Sequence, residues 1–371
     1  MPKKITISFS LALAIMLALS GLSFGQLDKF VSTVKINFKR KSYIGKPLAW
    51  DGREMILLRR DGRISRLPVE SQQDFLRLNH GFAPYTAHDI RVRLQKEFGS
   101  KYQVSVTENF VVVHPPGDHD VWAMPFQALY SRFHAYFSSR GFQLDEPAFP
   151  LIAVVLRTRK EFDRFLTTYH EYDRDILGYY SPLSNRIITY DQSDGRSSDA
   201  NWFFNTNTII HEATHQTAFN TGVHSRFGPV VRWASEGLAM LFEARGVNNS
   251  MYYSRQTDRI NRHRLEQLKT YYEKGMVKGK LASLAKGNEL FRTEPHVAYA
   301  VSWGMSFYLS EKMPSQFQKF LSRDGQRSDF LAYSPKQRAT DFAKAFGDDL
   351  AGLEAEMKRF FTRLKVPPPA K

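Results

Sequence analysis

The sequence predicts an α+β fold: a small β/α module, then a mixed sheet, then a mostly helical C-terminal part. Three observations predict it. Residues 43–70 alternate as strands do and carry Asp61-Gly62, a hairpin turn signal. Beyond Pro115-Pro116-Gly117, the continuously apolar run Leu151 to Leu156 stands among stretches of helical period. After Asp191 the helical patterns continue to Leu364.

Composition narrows the class. The chain has 371 residues, with 52 Lys+Arg against 37 Asp+Glu and no Cys. A quarter of it is charged, which excludes a collagen, a disulfide-stapled miniprotein and a polytopic membrane protein. Without Cys there is no thiol catalysis, no Cys zinc site, no iron–sulfur cluster and no lipoprotein anchor. The net charge of +15 favours acidic partners, an acidic envelope component among them, or is simply a solvated basic surface. No arginine-rich run marks a nucleic-acid arm, so no specific nucleic-acid partner is expected.

The elements follow in order. Lys3 and Lys4 precede Ile5 to Leu22, an apolar or small run, and Ser23 and Gly25 suit an export cleavage site. A signal peptide over 1–25 is expected, which places the folded chain in the periplasm or outside the cell. The alternative is an uncleaved N-terminal membrane anchor. Met55 to Leu58 and Ile64 to Val69 flank the Asp61-Gly62 turn, giving a β-hairpin module over 26–70. Residues 71–98 read as helix and Val104 to Val113 as a strand, an α/β accessory segment over 71–117. Val121 to Ser139 is an amphipathic helix with Phe126, Leu129, Tyr130, Phe133 and Phe137 on one stripe. Leu151 to Leu156 is a buried strand, and Lys160 to Tyr169 a helix. Gly178 to Asp191 is a hairpin turning through Pro182, Ser184 and Asn185. The prolines of 366–371 predict a disordered tail.

The chemistry sits in Ile209-Ile210-His211-Glu212-Ala213-Thr214-His215-Gln216. On a helix, residues four apart share a face, so His211 and His215 can aim at one metal. Glu212, one residue round, stands beside the open coordination position and can take a proton from metal-bound water. Ile209, Ile210, Ala213 and Phe219 share a stripe, and Gly222 stands where a C-terminal cap belongs. A catalytic zinc wants a third protein ligand. Glu236 supplies one from a second helix, Trp233 to Glu243, that follows a loop containing Pro229. Glu243, seven residues further on, fits as the acceptor for a histidine's other N–H. It fits equally as a rim carboxylate paired with Arg245 or Arg232.

His211-Glu212-x-x-His215-Gln216 followed by Trp233-x-x-Glu236-Gly237-Leu238-Ala239-x-x-x-Glu243 resembles the gluzincin metallopeptidases, in particular the peptidase MA-like group. The second element is similar to that of the zinc aminopeptidases of the leukotriene hydrolase group. Gly178-Tyr179-Tyr180 and Asn185-Arg186-Ile187 widen the resemblance to an uncharacterised exported family common in planctomycete bacteria, over residues 100–362. The resemblance implies a zincin-like metallopeptidase domain over 118–365 and one zinc per chain. It also suggests Tyr299, ahead of Gly304 in an apolar helix, as the oxyanion donor; Tyr299 reads equally as a core aromatic. His224 and His296 are further candidate donors.

Two departures bear on substrate. Ser235 stands where those aminopeptidases usually have Asn, and nothing resembles their Gly-Ala-Met-Glu-Asn segment, whose Glu grips the free amine. An endopeptidase acting on protein or peptide is therefore expected over an aminopeptidase. Its strand Arg186 to Asp191, read as a sheet edge and offering Arg186 and Tyr190, is expected to line the cleft and hold an extended peptide by main-chain pairing. The alternatives are a zinc amide hydrolase acting on the cell envelope and a non-catalytic scaffold on the same fold.

Overall fold

Alternation of apolar and polar residues builds the first sheet. It belongs to a computed structural model that describes residues 33–50, 53–68, 70, 75–117, 119–168, 176–193, 199–327 and 329–366. The export segment expected over 1–25 lies outside the described residues, as does all of the expected tail except Val366. The chain divides into two compact units. One runs to Arg93 and includes Ala148–Pro150 and Leu183–Asn185; the other holds the remainder.

In the first unit, β1 (Val34–Phe38), β2 (Lys41–Trp50), β3 (Glu54–Arg59), β4 (Ile64–Pro68) and β5 (Phe75–Arg77) form one sheet. The order is β4-β3-β2-β1-β5 and every neighbour is antiparallel. Val34, Ile36, Met55, Leu57 and Leu67 pack together, at the two-residue spacing that puts side chains on one face. Asp61-Gly62 makes the expected turn, with Gly62 at φ 80°. A second tight turn, between β1 and β2, uses Lys39 and Arg40 at φ 47° and 63°. Neither is a usual residue for that turn, which hides this hairpin from a sequence reading.

The helix expected over 71–98 is shorter, and β5 occupies part of its span. Helix α1 (Ala87–Phe98) starts late because Thr86 and Asp89 cap it reciprocally. The Thr86 N–H donates to Asp89 Oδ2 at 3.0 Å, and the Asp89 N–H donates to Thr86 Oγ1 at 3.2 Å.

The second unit holds β6 (Gln103–Val106), β7 (Phe110–His114), β8 (Leu151–Leu156), β9 (Gly178–Ser181) and β10 (Arg186–Tyr190), in the order β6-β7-β8-β10-β9. β7, β8 and β10 run parallel, and β6 and β9 pair antiparallel at the two edges. Every residue of β8 is buried, as a central strand covered on both faces requires. The single strand expected over Val104 to Val113 is the hairpin β6–β7. The expectation that 186–191 is the sheet edge is also corrected: β10 is paired on both sides, and β9 is the edge strand.

Helices follow: α2 (His119–Trp122), α3 (Met124–Ser138), α4 (Arg159–Thr168), α5 (Asp199–Asn220), α6 (Arg232–Phe242), α7 (Arg245–Asn248), α8 (Arg262–Glu273) and α9 (Lys280–Lys286). The last are α10 (Leu290–Thr293), α11 (Pro295–Lys312), α12 (Pro314–Gly325), α13 (Pro335–Phe346) and α14 (Leu350–Arg363). The aromatic stripe of α3 is buried as expected, and Phe133 stacks on Phe242 of α6 at 5.1 Å. Among the described residues no helix is long and apolar enough to cross a membrane.

Candidate metal centre

Helix α5 lies on the sheet by its apolar stripe, Ile209 and Ala213 sharing a core with Ile187 of β10. The buried amide of Gln216 fixes its height, donating from Nε2 to the carbonyl of Ile152 at 3.1 Å. Gly222 at φ 79° ends the segment as a left-handed cap. This leaves His211 and His215 on the face that looks toward α6.

Helix α6 is buried along its length except at Arg232 and Glu236. It approaches α11 closely at Gly237, where a Cβ would stand 2.6 Å from the carbonyl oxygen of Ser302 and 2.0 Å from Ser306 Oγ. That approach sets the height at which Glu236 meets the histidines. Glu236 Oε2 lies 3.5 Å from Nε2 of each ring, and the two Nε2 atoms are 3.2 Å apart. Ligands held about 2.0–2.2 Å from a tetrahedral zinc stand roughly 3.3–3.6 Å from one another. The triangle of donor atoms therefore has the size of a zinc triad. Among the described residues it is the one cluster of three such side chains within reach of a common ion.

The outer nitrogens are committed elsewhere. Glu243 is a carboxylate acceptor, so His211 Nδ1–H donates to its Oε1 at 2.8 Å. Glu243 Oε2 accepts from Asn261 Nδ2 at 2.6 Å. Asn261 Oδ1 in turn caps α8 by accepting from the Arg264 N–H at 3.2 Å. His215 Nδ1 faces Ser235 Oγ at 3.1 Å. Both Nε2 atoms face the Glu236 carboxylate and each other, and the cluster calls for positive charge at its middle. Burial works against a charged His211, but Glu236 and Glu243 outweigh it and push its pKa well above the usual value. Burial likewise opposes an ionised Glu236, yet His215 and His211 hold it well below the usual carboxylate range. A divalent ion held by two imidazoles and a carboxylate fits that place.

Glu212 is buried next to the triad, under β9. Burial pushes its carboxyl up, against the pull of His211 and His215, and the Tyr180 N–H donates to it. β9 comes so close that a Cβ on Gly178 would stand 3.0 Å from Glu212 Cγ and 2.6 Å from Thr208 Cγ2. Tyr299 stands beside Glu236, and its hydroxyl accepts from Arg232 Nη2 at 3.2 Å. Burial and Glu236 raise its pKa, so the phenol keeps its proton at neutral pH.

Not every candidate gathers here. Arg186 and Tyr190 alternate with Ile187 along β10 and so face the opposite side of the sheet. Arg186 is buried and forks onto Glu97 at 2.7 and 3.0 Å, and Tyr190 packs on Phe162 at 5.2 Å. His224 is buried against Asp324 at 2.8 Å, and His296 is exposed. Conversely, Asn261 and the roles of Arg232 and Ser235 escape a sequence reading. Asn261 shows only the signal of a helix cap, and nothing local connects it to Glu243.

Fold and site together define a class: an α+β protein in which a His-Glu-x-x-His helix and a following glutamate form a candidate metal triad. Within that class, residues 205–330 match a protein family described as a protein of unknown function, DUF1570. The matched stretch contains His211, Glu212, His215, Glu236, Glu243 and Tyr299. None of the curated proteins compared matches the chain.

Proposed function

We propose that this protein is a zinc metallopeptidase of gluzincin type, cleaving within peptide chains and acting after export. The observation that carries the reading is the triangle of His211 Nε2, His215 Nε2 and Glu236 Oε2 at 3.2, 3.5 and 3.5 Å, with Glu212 buried beside it.

His211, His215 and Glu236 would hold the ion, His211 and His215 each through Nε2. When bound, zinc supplies a Lewis acid that acidifies water and polarises a carbonyl. Glu212 accepts a proton from the attacking water and passes it to the leaving amine; a carboxylate raised by burial is suited to both steps. The Tyr180 N–H holds Glu212 in place. Tyr299 accepts from Arg232, which directs its own proton away from that guanidinium and frees it to donate to the developing oxyanion. β9, not β10, is the strand on which an extended peptide would pair. The missing amine-gripping segment keeps the reading on endopeptidase.

The test is elemental analysis and a peptide-library digest of the zinc-loaded chain beside Glu212→Gln and His211→Ala. About one zinc per chain and cleavage by the wild type are expected. Glu212→Gln should keep the zinc and lose roughly 10²–10⁴-fold in rate, and His211→Ala should lose the zinc. A folded wild type that takes no zinc, or a Glu212→Gln variant as fast as wild type, would refute the proposal.

A further inference from the structure

Two guanidinium groups meet at Tyr299. Arg232 stacks on Phe291 at 4.4 Å and lays Nη2 on the Tyr299 hydroxyl at 3.2 Å, with Nε 3.6 Å from Glu236 Oε1. Its side chain remains 41% exposed, within reach of a ligand. Arg264, from α8, holds its Cζ 5.7 Å from the centre of the Tyr299 ring. Nη1 of Arg264 donates to Gln267 Oε1 at 3.0 Å, and its buried Nε has no hydrogen-bond partner. Among the described residues no carboxylate pairs with Arg264. Side-chain contacts restrain both groups: Phe291 stacks on Arg232, and Gln267 holds one nitrogen of Arg264.

Charge at the centre is then unbalanced. The carboxylates of Glu212, Glu236 and Glu243 are outnumbered by the charges of Arg232, Arg264 and the divalent ion the triad would hold, which leaves an excess positive charge. A planar guanidinium presents its donors in a fork that matches a carboxylate. We propose that Arg232, at the Tyr299 hydroxyl, and Arg264, over its ring, form a carboxylate-binding subsite beside the metal triad. The peptides the site takes therefore carry a carboxylate there. The substrate class so named rests on the metallopeptidase reading, but the subsite itself is made of this chain's own arginines.

Binding is tested apart from cleavage. Zinc-loaded, full-length Glu212→Gln is immobilised and exposed to random short-peptide libraries in matched pairs. One pair ends in a free carboxylate or an amide. The other has amidated ends and carries Asp and Glu, or Asn and Gln. Retention of one carboxylate library about tenfold above its neutral partner is expected. The pair that shows the preference tells a chain terminus from a side chain. Adding Arg232→Gln or, separately, Arg264→Gln should abolish the preference with zinc content unchanged. Two arginine variants guard against a fold defect in either. Equal retention within both pairs, no retention at all, or a preference that survives both substitutions would overturn the subsite. Failure of the peptidase reading looks different: zinc-loaded wild type cleaves neither library, whatever is retained.

Discussion

Glu243 Oε1 stands 2.8 Å from Nδ1 of His211, and its other oxygen accepts from Asn261 Nδ2 at 2.6 Å. The carboxylate is thus pinned from both sides, and it fixes the tautomer that leaves Nε2 of His211 facing the triad. His215 has only the Ser235 hydroxyl in the equivalent place. The two histidines are held by groups of unequal strength.

Glu243→Ala should therefore weaken zinc affinity by roughly 10–100-fold. Ser235→Ala should cost less, because a neutral hydroxyl contributes less than a carboxylate. Competition against a chromophoric chelator at fixed pH measures both. Equal losses, or a larger loss for Ser235→Ala, would contradict the asymmetry.

Zinc should stabilise the folded chain by mass action. An ion at about 100 times its Kd adds roughly 2.7 kcal/mol. Thermal melts with and without zinc should separate for the wild type and coincide for His211→Ala. A shift of the same size in that variant would place the bound ion elsewhere.

Gly237 allows α6 to touch α11. A methyl there meets the Ser302 carbonyl at 2.6 Å, and a backbone atom has little room to give. Gly237→Ala should cost about 1–3 kcal/mol, read as a lower midpoint in urea. Glu236 moves with the helix, so zinc affinity should fall as well. A variant as stable as wild type would show that α6 and α11 separate easily.

Asp61 gives the first sheet an acid-sensitive contact. Burial opposes its charge, but Arg63 at 2.8 Å and Arg59 at 4.0 Å lower its pKa below the ordinary value. A carboxylate depressed on folding contributes stability above the unfolded pKa of about 3.9 and loses it as pH falls through the folded value. The wild type should melt higher than Asp61→Asn at pH 7. The gap should begin to close below about pH 4 and continue to narrow as the pH falls through the folded value. A gap that widens on acidification would reverse the sign.

The local part of the site was legible. His211 and His215 share a helix face by spacing alone, and Glu236 and Glu243 share another. The cap at Gly222 and the turn at Asp61-Gly62 are likewise local, since a backbone angle there selects the residue. The β1–β2 turn was not legible, because Lys39 and Arg40 adopt positive φ without being residues that favour it.

Strand order was beyond the pattern as well. Ile187 and Ile188 look the same in a central strand as in an edge strand covered on both faces. Only hydrogen bonding to β8 and β9 on either side shows that β10 is interior, and only the packing of Ile187 under α5 shows that Arg186 and Tyr190 face away from the triad. By itself, then, the sequence determined which side chains carry the candidate chemistry, because helical spacing is a short-range property of the chain. Tertiary structure alone decided their partners: Asn261 on Glu243, Ser235 on His215, Arg232 and Arg264 at Tyr299, and β9 over Glu212. Those contacts join elements far apart along the chain, and their distances follow from how α5, α6, α8 and α11 pack, which no local spacing encodes.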